Sequence, residues 1–259
     1  MVEYLLFTLR APLQSWGTHA AVGEMRPSAD HPGRAAVGGL LAAALGIRRE
    51  QPEALLKLHH ALRLAVRCDN PGARLTDYHT TQTPPTTGKR VFRTRRDELV
   101  AQLHRGEAPD TVLSRREYLM GAAFTACLWL DGEAGYTLDE MRQALKRPRL
   151  PLYLGRKSCP PGFPLLPWCT RAEDAPAAFR LYDEFVASRI AEGKPWAQER
   201  DGRPRDGSAR IWSDAPLADN ALSLTLTVRD VLLDNRRHFG QRLEYVGTAK
   251  EASHVHQQG

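Results

Sequence analysis

With 259 residues, the chain is long enough to bury a sizeable core, either as one elaborated domain or as a domain with an appendage. Its 36 Lys and Arg residues against 30 Asp and Glu residues leave a net charge of +6, which favours nucleic acid or another anionic partner, although genome bias also produces arginine-rich proteins. Four cysteines without a CxxC spacing argue against a zinc site, and the sequence has no phosphate-loop, serine-elbow or paired-carboxylate motif of an ATPase or hydrolase.

The first predicted element is a strand in "VEYLLFTLRAP", which ends at Pro12. This apolar run is too short to span a bilayer and no cationic leader precedes it, so we expect a cytoplasmic protein without a membrane segment. Apolar residues then recur at helical spacing and Gly46 stands where that helix would end. Gly38 and Gly39 lower its helix propensity, which predicts close packing against a sheet. A second short helix begins near Pro52.

Alternation in "LRLAVRCD" predicts a half-buried strand with a cationic outer face formed by Arg63 and Arg67. The more apolar "AAFTACLWL" predicts a central strand. Thr137 and Glu140 form a capping box at the start of another helix. Alternating leucines from Leu222 onward predict a late strand.

The order of these elements predicts an α+β fold, a ferredoxin-like (RRM-like) sandwich in which two helices cover one face of an antiparallel sheet. The other face stays open, as in RNA-recognition modules. The predicted units are residues 1–77 as the first part of the body, 78–115 as an inserted basic thumb arm, and 116–259 as the rest of the body with a C-terminal elaboration. We expect the arm to protrude and to become ordered on its partner. Its cations are Lys89, Arg90, Arg93, Arg95, Arg96 and Arg105.

The segment "KRPRLPLYLGRKSCPPGFP" is predicted to be an ordered loop or a short strand, because Pro148 and Pro151 exclude a helix. Cationic side chains, an aromatic ring and a glycine that permits close backbone approach suit single-stranded nucleic acid. Solubility alone is the alternative explanation of a basic surface loop. The candidate RNA-binding residues of this segment are Arg147, Arg149, Tyr153, Gly155, Arg156 and Lys157.

Two further motifs supply candidates close to predicted strand ends. "LRAPLQSWG" places Arg10, Gln14 and Trp16 after the first strand, and the alternative for Trp16 is packing in the core. At the other motif, Tyr78 and His79 lie at one root of the arm. Arg115 and Arg116 lie at the other root and would face the first root if the insertion is a hairpin.

The start of the first helix, "RPSADHPGRAAVGG", is a candidate anion site. A helix N-terminus presents unpaired N–H groups, and Arg26 and Arg34 flank it, so it could hold an RNA phosphate. The alternative is that both arginines pair with Asp30 or Glu24 on the surface, which would contribute little.

A set of strings, taken together, closely resembles the CasD family of subunits of Cascade, the CRISPR surveillance complex of subtype I-E. The strings occur in the family's order and cover most of Tyr4–Pro164: "LRAPLQSWG", "RPSADHPGRAAVGGLLAAALGI", "AVRCD", "DYHT", "SRREYL", "AAFTACLWL" and "LKRPRLPLYLGRKSCP". The resemblance implies a ferredoxin-like body with an arginine-bearing thumb that caps the 5′ handle of the CRISPR RNA. The implied partners are the CasA large subunit, CasC backbone subunits, other Cascade subunits and, indirectly, target DNA.

The resemblance also implies binding without catalysis, cofactor or metal, because a separate endoribonuclease matures the guide in this subtype. Related subunits of another subtype cut repeat RNA, so the alternative is a metal-independent endoribonuclease that uses Tyr78, His79 and Lys157. A protein-binding scaffold with a basic surface is a third hypothesis.

Overall fold

The protein is described from a computed structural model, over residues 1–18, 24–83, 92–105, 110–192, 209–217, 224–234 and 238–248. Its strands are β1 (Val2–Arg10), β2 (Leu13–Gln14), β3 (Trp16–Gly17), β4 (Met25–Arg26), β5 (Ser28–Ala29), β6 (Leu62–Asn70), β7 (Ala73–Thr83), β8 (Asp110–Met120), β9 (Ala123–Leu130), β10 (Trp168–Ala172), β11 (Arg210–Ser213), β12 (Leu224–Leu232) and β13 (Phe239–Thr248). Its helices are α1 (Arg34–Leu45), α2 (Pro52–Ala61), α3 (Arg95–Arg105), α4 (Leu138–Lys146) and α5 (Ala175–Ala191). None of the helices described here is long and apolar enough to cross a membrane.

The main sheet is antiparallel and helices pack against it, as the sequence predicts. Its strand order is β10-β1-β9-β6-β11-β13-β12, so "AAFTACLWL" is indeed a central strand. Helices α1, α2 and α4 cover one face, where residues such as Phe7, Leu41 and Met141 form the larger core. The late strand predicted around residues 222–228 is β12, which lies at the edge of the sheet, while Leu222 is outside the described residues.

The second face of the sheet is not open. Helix α5 packs Phe179 and Tyr182 against Leu6 and Cys127, and these residues are fully or almost fully buried. Sequence reasoning assigned no structure to this part of the chain, so the prediction of an exposed face was wrong there. Any nucleic-acid surface on the body must therefore lie elsewhere than under α5.

The predicted cationic outer face of β6 was also wrong, because its central arginine is buried and neutralised. Arg67 is 6% exposed, its Nε donates to Asp69 at 2.7 Å, and its two Nη groups donate to Asp183 at 2.8 Å each. Thr125 donates a further hydrogen bond to Asp69 at 2.5 Å. Burial opposes the charge on Arg67, but the two carboxylates raise its pKa above the ordinary value.

The predicted helix signals are confirmed, with one correction. Gly46 ends α1 with φ of 79° and the Thr137 capping box starts α4. Gly38 does mark a close approach, but to a helix and not to the sheet: a Cβ there would lie 2.5 Å from the ring of His59 in α2. Gly39 faces open space, with no atom within 4 Å of an added Cβ.

The two roots of the insertion face each other, because β7 and β8 pair as an antiparallel hairpin, which was the condition stated for this arrangement. Strands β7 and β8 pair from Ala73↔Met120 to Thr83↔Asp110, and α3 lies between them in sequence. Lys89 and Arg90, counted among the arm's cations, are outside the described residues. The arm is thus a long two-stranded ladder that continues directly from the body.

The buried Arg67 pairing yields a stability prediction. We expect Arg67→Ala to lower the free energy of unfolding by about 3 to 5 kcal/mol, because it removes the guanidinium that pairs with Asp69 of β6 and Asp183 of α5. Arg63→Ala is the matched control on the same strand face: Arg63 pairs with the more exposed Asp131 at 2.7 Å, and its loss should cost at most about 1 kcal/mol. Urea unfolding followed by circular dichroism measures both, and equal small losses would contradict the prediction.

Candidate nucleic-acid interface

Strand β8 is the centre of the candidate site, because it pairs with both the arm and the body. It lies antiparallel to β7 and β2 and parallel to β4. This register sets Arg115 opposite Tyr78 and Arg116 beside Arg26. Four segments of the chain thus bring five arginines and one tyrosine together at what we call the arm-root surface: Arg26, Arg74, Tyr78, Arg115, Arg116 and Arg156.

The arm-root surface has two faces, since successive residues of a strand point in opposite directions. On one face the Arg115 guanidinium lies 5.8 Å from the ring centroid of Tyr78, which is 56% exposed. Arg116 is on the other face, where its Nε donates to Ser114 at 3.3 Å. The two neighbouring arginines therefore serve different sides of the arm and cannot hold one phosphate together.

Arg156 joins the face that carries Arg116 and is fixed there by neutral groups. Its Nη1 donates to the carbonyl of Glu117 at 3.2 Å and its Nη2 to the carbonyl of Arg26 at 2.7 Å. Its guanidinium lies 4.8 Å from the ring centroid of Tyr118. Carbonyls and a ring orient the side chain without cancelling its charge, so Arg156 is held in place and remains a cation for a ligand.

Arg74, which sequence analysis missed, forms ion pairs at the arm root. Arg74 binds Asp30 and, at 3.1 Å, Glu117. Among the described residues, no carboxylate forms an ion pair with Arg115, Arg116 or Arg156. The available signal for Arg74 was its position four residues before Tyr78, which puts both on one face of a strand.

Gly155 gives the basic loop its path, but not in the way the sequence suggested. Its φ is 88°, and a Cβ would lie 1.7 Å from the carbonyl oxygen of Ser15. Ser15 in turn donates its N–H to Leu154 at 3.1 Å. The close approach that the glycine permits is to the body's own backbone, so the prediction that it makes room for a phosphate was wrong.

The basic segment is divided into two regions. Arg149 donates its N–H to the carbonyl of Ala44 at 3.0 Å and its stem covers Gly46, so it lies at the end of α1. Exposed Arg147 caps the end of α4, where its N–H donates to the carbonyl of Gln143 at 3.1 Å. Exposed Lys157 follows Arg156 directly. Within the described part of the chain, no hydrogen bond or ion pair links Arg147 or Arg149 to the arm root, whereas Arg156 contacts the arm root directly.

Between the two halves, Tyr153 is 41% exposed. Its position leaves the ring accessible to a ligand.

Two candidates after the first strand are buried. Gln14 is 0% and Trp16 1% exposed, and the Trp16 indole donates to the Gln14 side chain at 3.1 Å. Gln14 donates in turn to the carbonyl of Ala122 at 2.7 Å. Direct RNA contact by these two side chains was therefore a wrong prediction, and the alternative of core packing is confirmed. Arg10 lies half-buried with its guanidinium 4.5 Å from the ring centroid of Phe163.

The start of α1 is already occupied by an anion from the same chain. The Asp230 carboxylate accepts from the N–H of Arg34 at 2.7 Å, and the Arg34 side chain, 8% exposed, pairs with Asp214 at 3.4 Å. Both readings of this helix start were wrong about Arg34, since its partners are carboxylates from β12 and the end of β11. Arg26 is exposed and its Nη1 donates to the carbonyl of Met25 at 3.2 Å.

The residues of the nuclease hypothesis do not converge. Tyr78 and His79 are neighbours on β7 and point to opposite faces, and His79 lies 3.8 Å from Asp77. Lys157 makes no hydrogen bond or ion pair with either residue among those described. The described residues contain no group of three or more His, Cys, Asp or Glu side chains that could hold a metal ion.

Comparison with known proteins agrees with this geometry. The family described as CRISPR-associated protein (Cas_Cas5) matches residues 4–244, which is most of the chain. The chain belongs to the Cas5 family. It is 35% identical over 191 residues to the CRISPR system Cascade subunit CasD of Escherichia coli (strain K12), covering 71% of this chain and 78% of that protein.

Two solved structures extend the similarity of this Cas5 protein to the whole fold. A chain described as CRISPR RNA-guided surveillance complex has a TM-score of 0.60 at 25% identity, covering 95% of this chain and 90% of that one. A second, described as crystal structure of Cas protein, has a TM-score of 0.55 at 26% identity and covers 95% of both chains.

The geometry of Gly155 yields a prediction with an internal control. Gly155→Ala should lower the free energy of unfolding by about 2 to 5 kcal/mol, since backbone strain at positive φ adds to a collision with the Ser15 backbone. Gly121 has φ of 69° with no atom within 4 Å of an added Cβ, so Gly121→Ala should show the strain alone, about 1 to 2 kcal/mol. Thermal and urea unfolding compare the two, and a Gly121→Ala loss as large as that of Gly155→Ala would refute the role of the collision.

Proposed function

We propose that the chain is a non-catalytic, RNA-binding subunit of a Cascade-type surveillance complex and caps the 5′ handle of the CRISPR RNA. One observation carries this proposal: Arg116 and Arg156 lie on one face of β8, and no described carboxylate forms an ion pair with either, although Asp77 stands opposite Arg116 in the β7–β8 ladder. Phosphates of a single strand are the counter-charge that such a surface fits. The similarity to a Cascade subunit supports CRISPR RNA as the proposed ligand.

The body is, in this proposal, ferredoxin-like and related to RNA-recognition modules. Four strands of the main sheet lie in the order β10-β1-β9-β6. Helices α1 and α2 lie between β1 and β6 in sequence, and α4 follows β9, which supports this classification. RNA-recognition modules bind RNA on the open sheet face. Here α5 covers that face, so the proposed RNA surface moves to the arm root, where β8 leaves the body.

The arm, residues 78–115, is proposed to bridge the guide RNA and a neighbouring CasC backbone subunit. Tyr78 and Val112 are 56% and 52% exposed, which leaves apolar area on the ladder for a partner. CasA and the other Cascade subunits are the remaining proposed partners in the cytoplasm, and target DNA is met only indirectly, through the guide.

The placement of the candidate catalytic groups supports binding without cleavage. General acid–base chemistry needs an acid and a base within hydrogen-bond reach of one phosphodiester. Tyr78 and His79 point to opposite faces of β7, so a single phosphate cannot meet both in this arrangement. The proposed activity needs neither metal nor cofactor.

Salt-dependent binding tests the proposed RNA surface. We expect Arg116→Glu and Arg156→Glu each to weaken binding of a handle RNA at least tenfold at low salt and to reduce the slope of log affinity against log salt by about 0.7 per lost phosphate contact. Arg171→Glu is the matched control, because Arg171 is exposed on β10 at the far edge of the main sheet. Fluorescence anisotropy with 5′-labelled RNA gives both quantities.

Two results would overturn the proposal. If all three variants show the same affinity and slope as the unmodified protein, the arm root does not bind phosphates. If the purified protein cleaves repeat RNA at a defined site in EDTA and loses this activity in His79→Ala, the subunit is an endoribonuclease.

The hairpin register allows the arm to be removed cleanly. Because His79 pairs with Ser114, residues 80–113 can be replaced by an Asn-Gly turn that keeps the ladder below intact. We expect the body to keep its melting temperature within about 5 °C, since the deleted part contributes little core. Co-purification with the other Cascade subunits should fall strongly. Full assembly with an armless protein would exclude the bridging role.

A further inference from the structure

A second group of cations lies where helices α1 and α4 end. Gly46 caps the end of α1 and Arg147 caps the end of α4, and the two ends are joined by a backbone contact. The N–H of Arg149 donates to the carbonyl of Ala44 at 3.0 Å. The cations beside this contact, which we call the helix-end cluster, are all exposed: Arg48, Arg49, Lys146, Arg147 and Arg149.

Helix α1 separates this cluster from the arm root. The start of α1 follows Asp30, which binds Arg74 of the arm-root surface. The helix has 12 residues and is therefore about 18 Å long. The helix-end cluster lies at the far end of this helix and is a surface distinct from the one that carries Arg116 and Arg156.

The helix-end cluster is strongly positive for its size. Residues 45–51 and 143–150 together contain its five cations and a single carboxylate, that of Glu50. Among the described residues, no side chain forms an ion pair with any of the five, whereas Arg142, one turn earlier on α4, pairs with Asp139 at 2.6 Å. The described part of the chain therefore leaves the charge of the cluster unbalanced.

Helix capping accounts for little of this charge. Cations in the last turn of a helix stabilise its dipole, and Lys146 does so for α4. The last carbonyls of α1, however, accept hydrogen bonds from the backbone N–H groups of Gly46, Ile47, Arg149 and Leu150. No guanidinium is therefore needed to cap α1, and Arg48 and Arg49 lie beyond its last turn.

The backbone beneath the cluster is fixed. A Cβ added to Gly46 would lie 2.8 Å from Cδ of Arg149, so the stem of this arginine packs on the glycine. The ring of Pro148 restricts the backbone before Arg149. Because one residue of chain spans at most about 3.6 Å, the Cα atoms of Arg48 and Arg147 lie within about 7 Å of those of Gly46 and Arg149, respectively. The cations are therefore held close together.

The cluster lacks the features that hold a single strand or another protein. Single-strand sites combine cations with aromatic rings that stack on bases, and protein interfaces are centred on apolar anchors. Residues 45–51 and 143–150 contain no aromatic residue, and their large apolar side chains are buried or half-buried. The nearest exposed ring further along this segment is that of Tyr153, which follows Pro151.

We propose that the helix-end cluster binds the phosphate backbone of a nucleic-acid duplex. The bases of a duplex are stacked inside it, so a protein that approaches its backbone meets phosphates and needs no aromatic partner. B-DNA carries about one negative charge per 1.7 Å of its axis, so several phosphates lie within reach of a cluster of this size. The inference goes beyond the proposed function, which assigns single-stranded RNA to the arm root, and does not depend on it.

Binding of a labelled DNA duplex and of an RNA duplex of the same sequence tests the inference on the full chain. Arg48→Glu combined with Arg147→Glu should weaken duplex binding about tenfold or more at low salt, and the slope of log affinity against log salt should fall by about 0.9 per lost contact with B-DNA. Arg180→Glu is the matched control, because Arg180 is exposed on α5, which covers the opposite face of the main sheet. Fluorescence anisotropy measures all three proteins, and the two duplexes show which backbone is preferred.

Further variants keep the test independent of folding and of the arm root. Arg48→Gln combined with Arg147→Gln removes the charges without adding carboxylates and should cause a smaller loss in the same direction, with circular dichroism to establish folding. Tyr153→Ala should leave duplex binding unchanged, because the cluster needs no stacking ring. Arg116→Glu should weaken binding of the handle RNA and leave duplex binding unchanged.

Three results would overturn the inference. If the double Glu variant binds both duplexes as tightly as the Arg180→Glu control, the cluster does not bind phosphates. If duplex binding is lost in Arg116→Glu instead, duplexes bind at the arm root. If the double Glu variant keeps duplex binding but no longer co-purifies with the other Cascade subunits, the cluster binds an acidic protein. The affinity for handle RNA is measured separately, so each of these results leaves the capping proposal to its own test.

Discussion

The three strands at one end of the main sheet, β11, β13 and β12, depend on one buried guanidinium. Arg242 on β13 contacts Asp214 at 2.7 Å, Asp230 at 2.6 Å and Glu244 at 2.7 Å, and its side chain is 9% exposed. These carboxylates raise its pKa above the ordinary value although burial opposes the charge. A buried charge is tolerated only when it is paired. The ion pairs of Arg242 therefore hold β11, β12 and β13 together in addition to the hydrogen bonds of the ladders.

This network also decides where the protein can bind an anion. Asp230, held by Arg242, accepts from the first N–H of α1 and thereby occupies the anion site of that helix. Glu244 holds His31, which stacks on Trp212 of β11. The same cluster therefore closes the anion site at the start of α1 and fixes an aromatic pair on β11.

The sequence predicted local structure well and long-range pairing poorly, for a physical reason. The capping of α4 by Thr137 and the end of α1 at Gly46 depend on neighbours within a turn, so their residues are sufficient to infer them. The charge state of Arg67 depends on Asp183, which is 116 positions away on α5, a helix that no sequence motif predicted. Likewise no local pattern shows that Arg34 is met by Asp214 from the end of β11.

The arginines of this protein fall into two groups that burial separates. Arg34, Arg67 and Arg242 are buried, and each is matched by carboxylates of the same chain because an unpaired charge there would be too costly. Arg116 and Arg156 are only half-buried, and their described hydrogen bonds go to a hydroxyl and to carbonyls. Such partners restrict the side chains without neutralising them, which lowers the entropy that a ligand must remove on binding. The arginines of the second group are therefore left available to an anionic partner, and they lie where the arm joins the body.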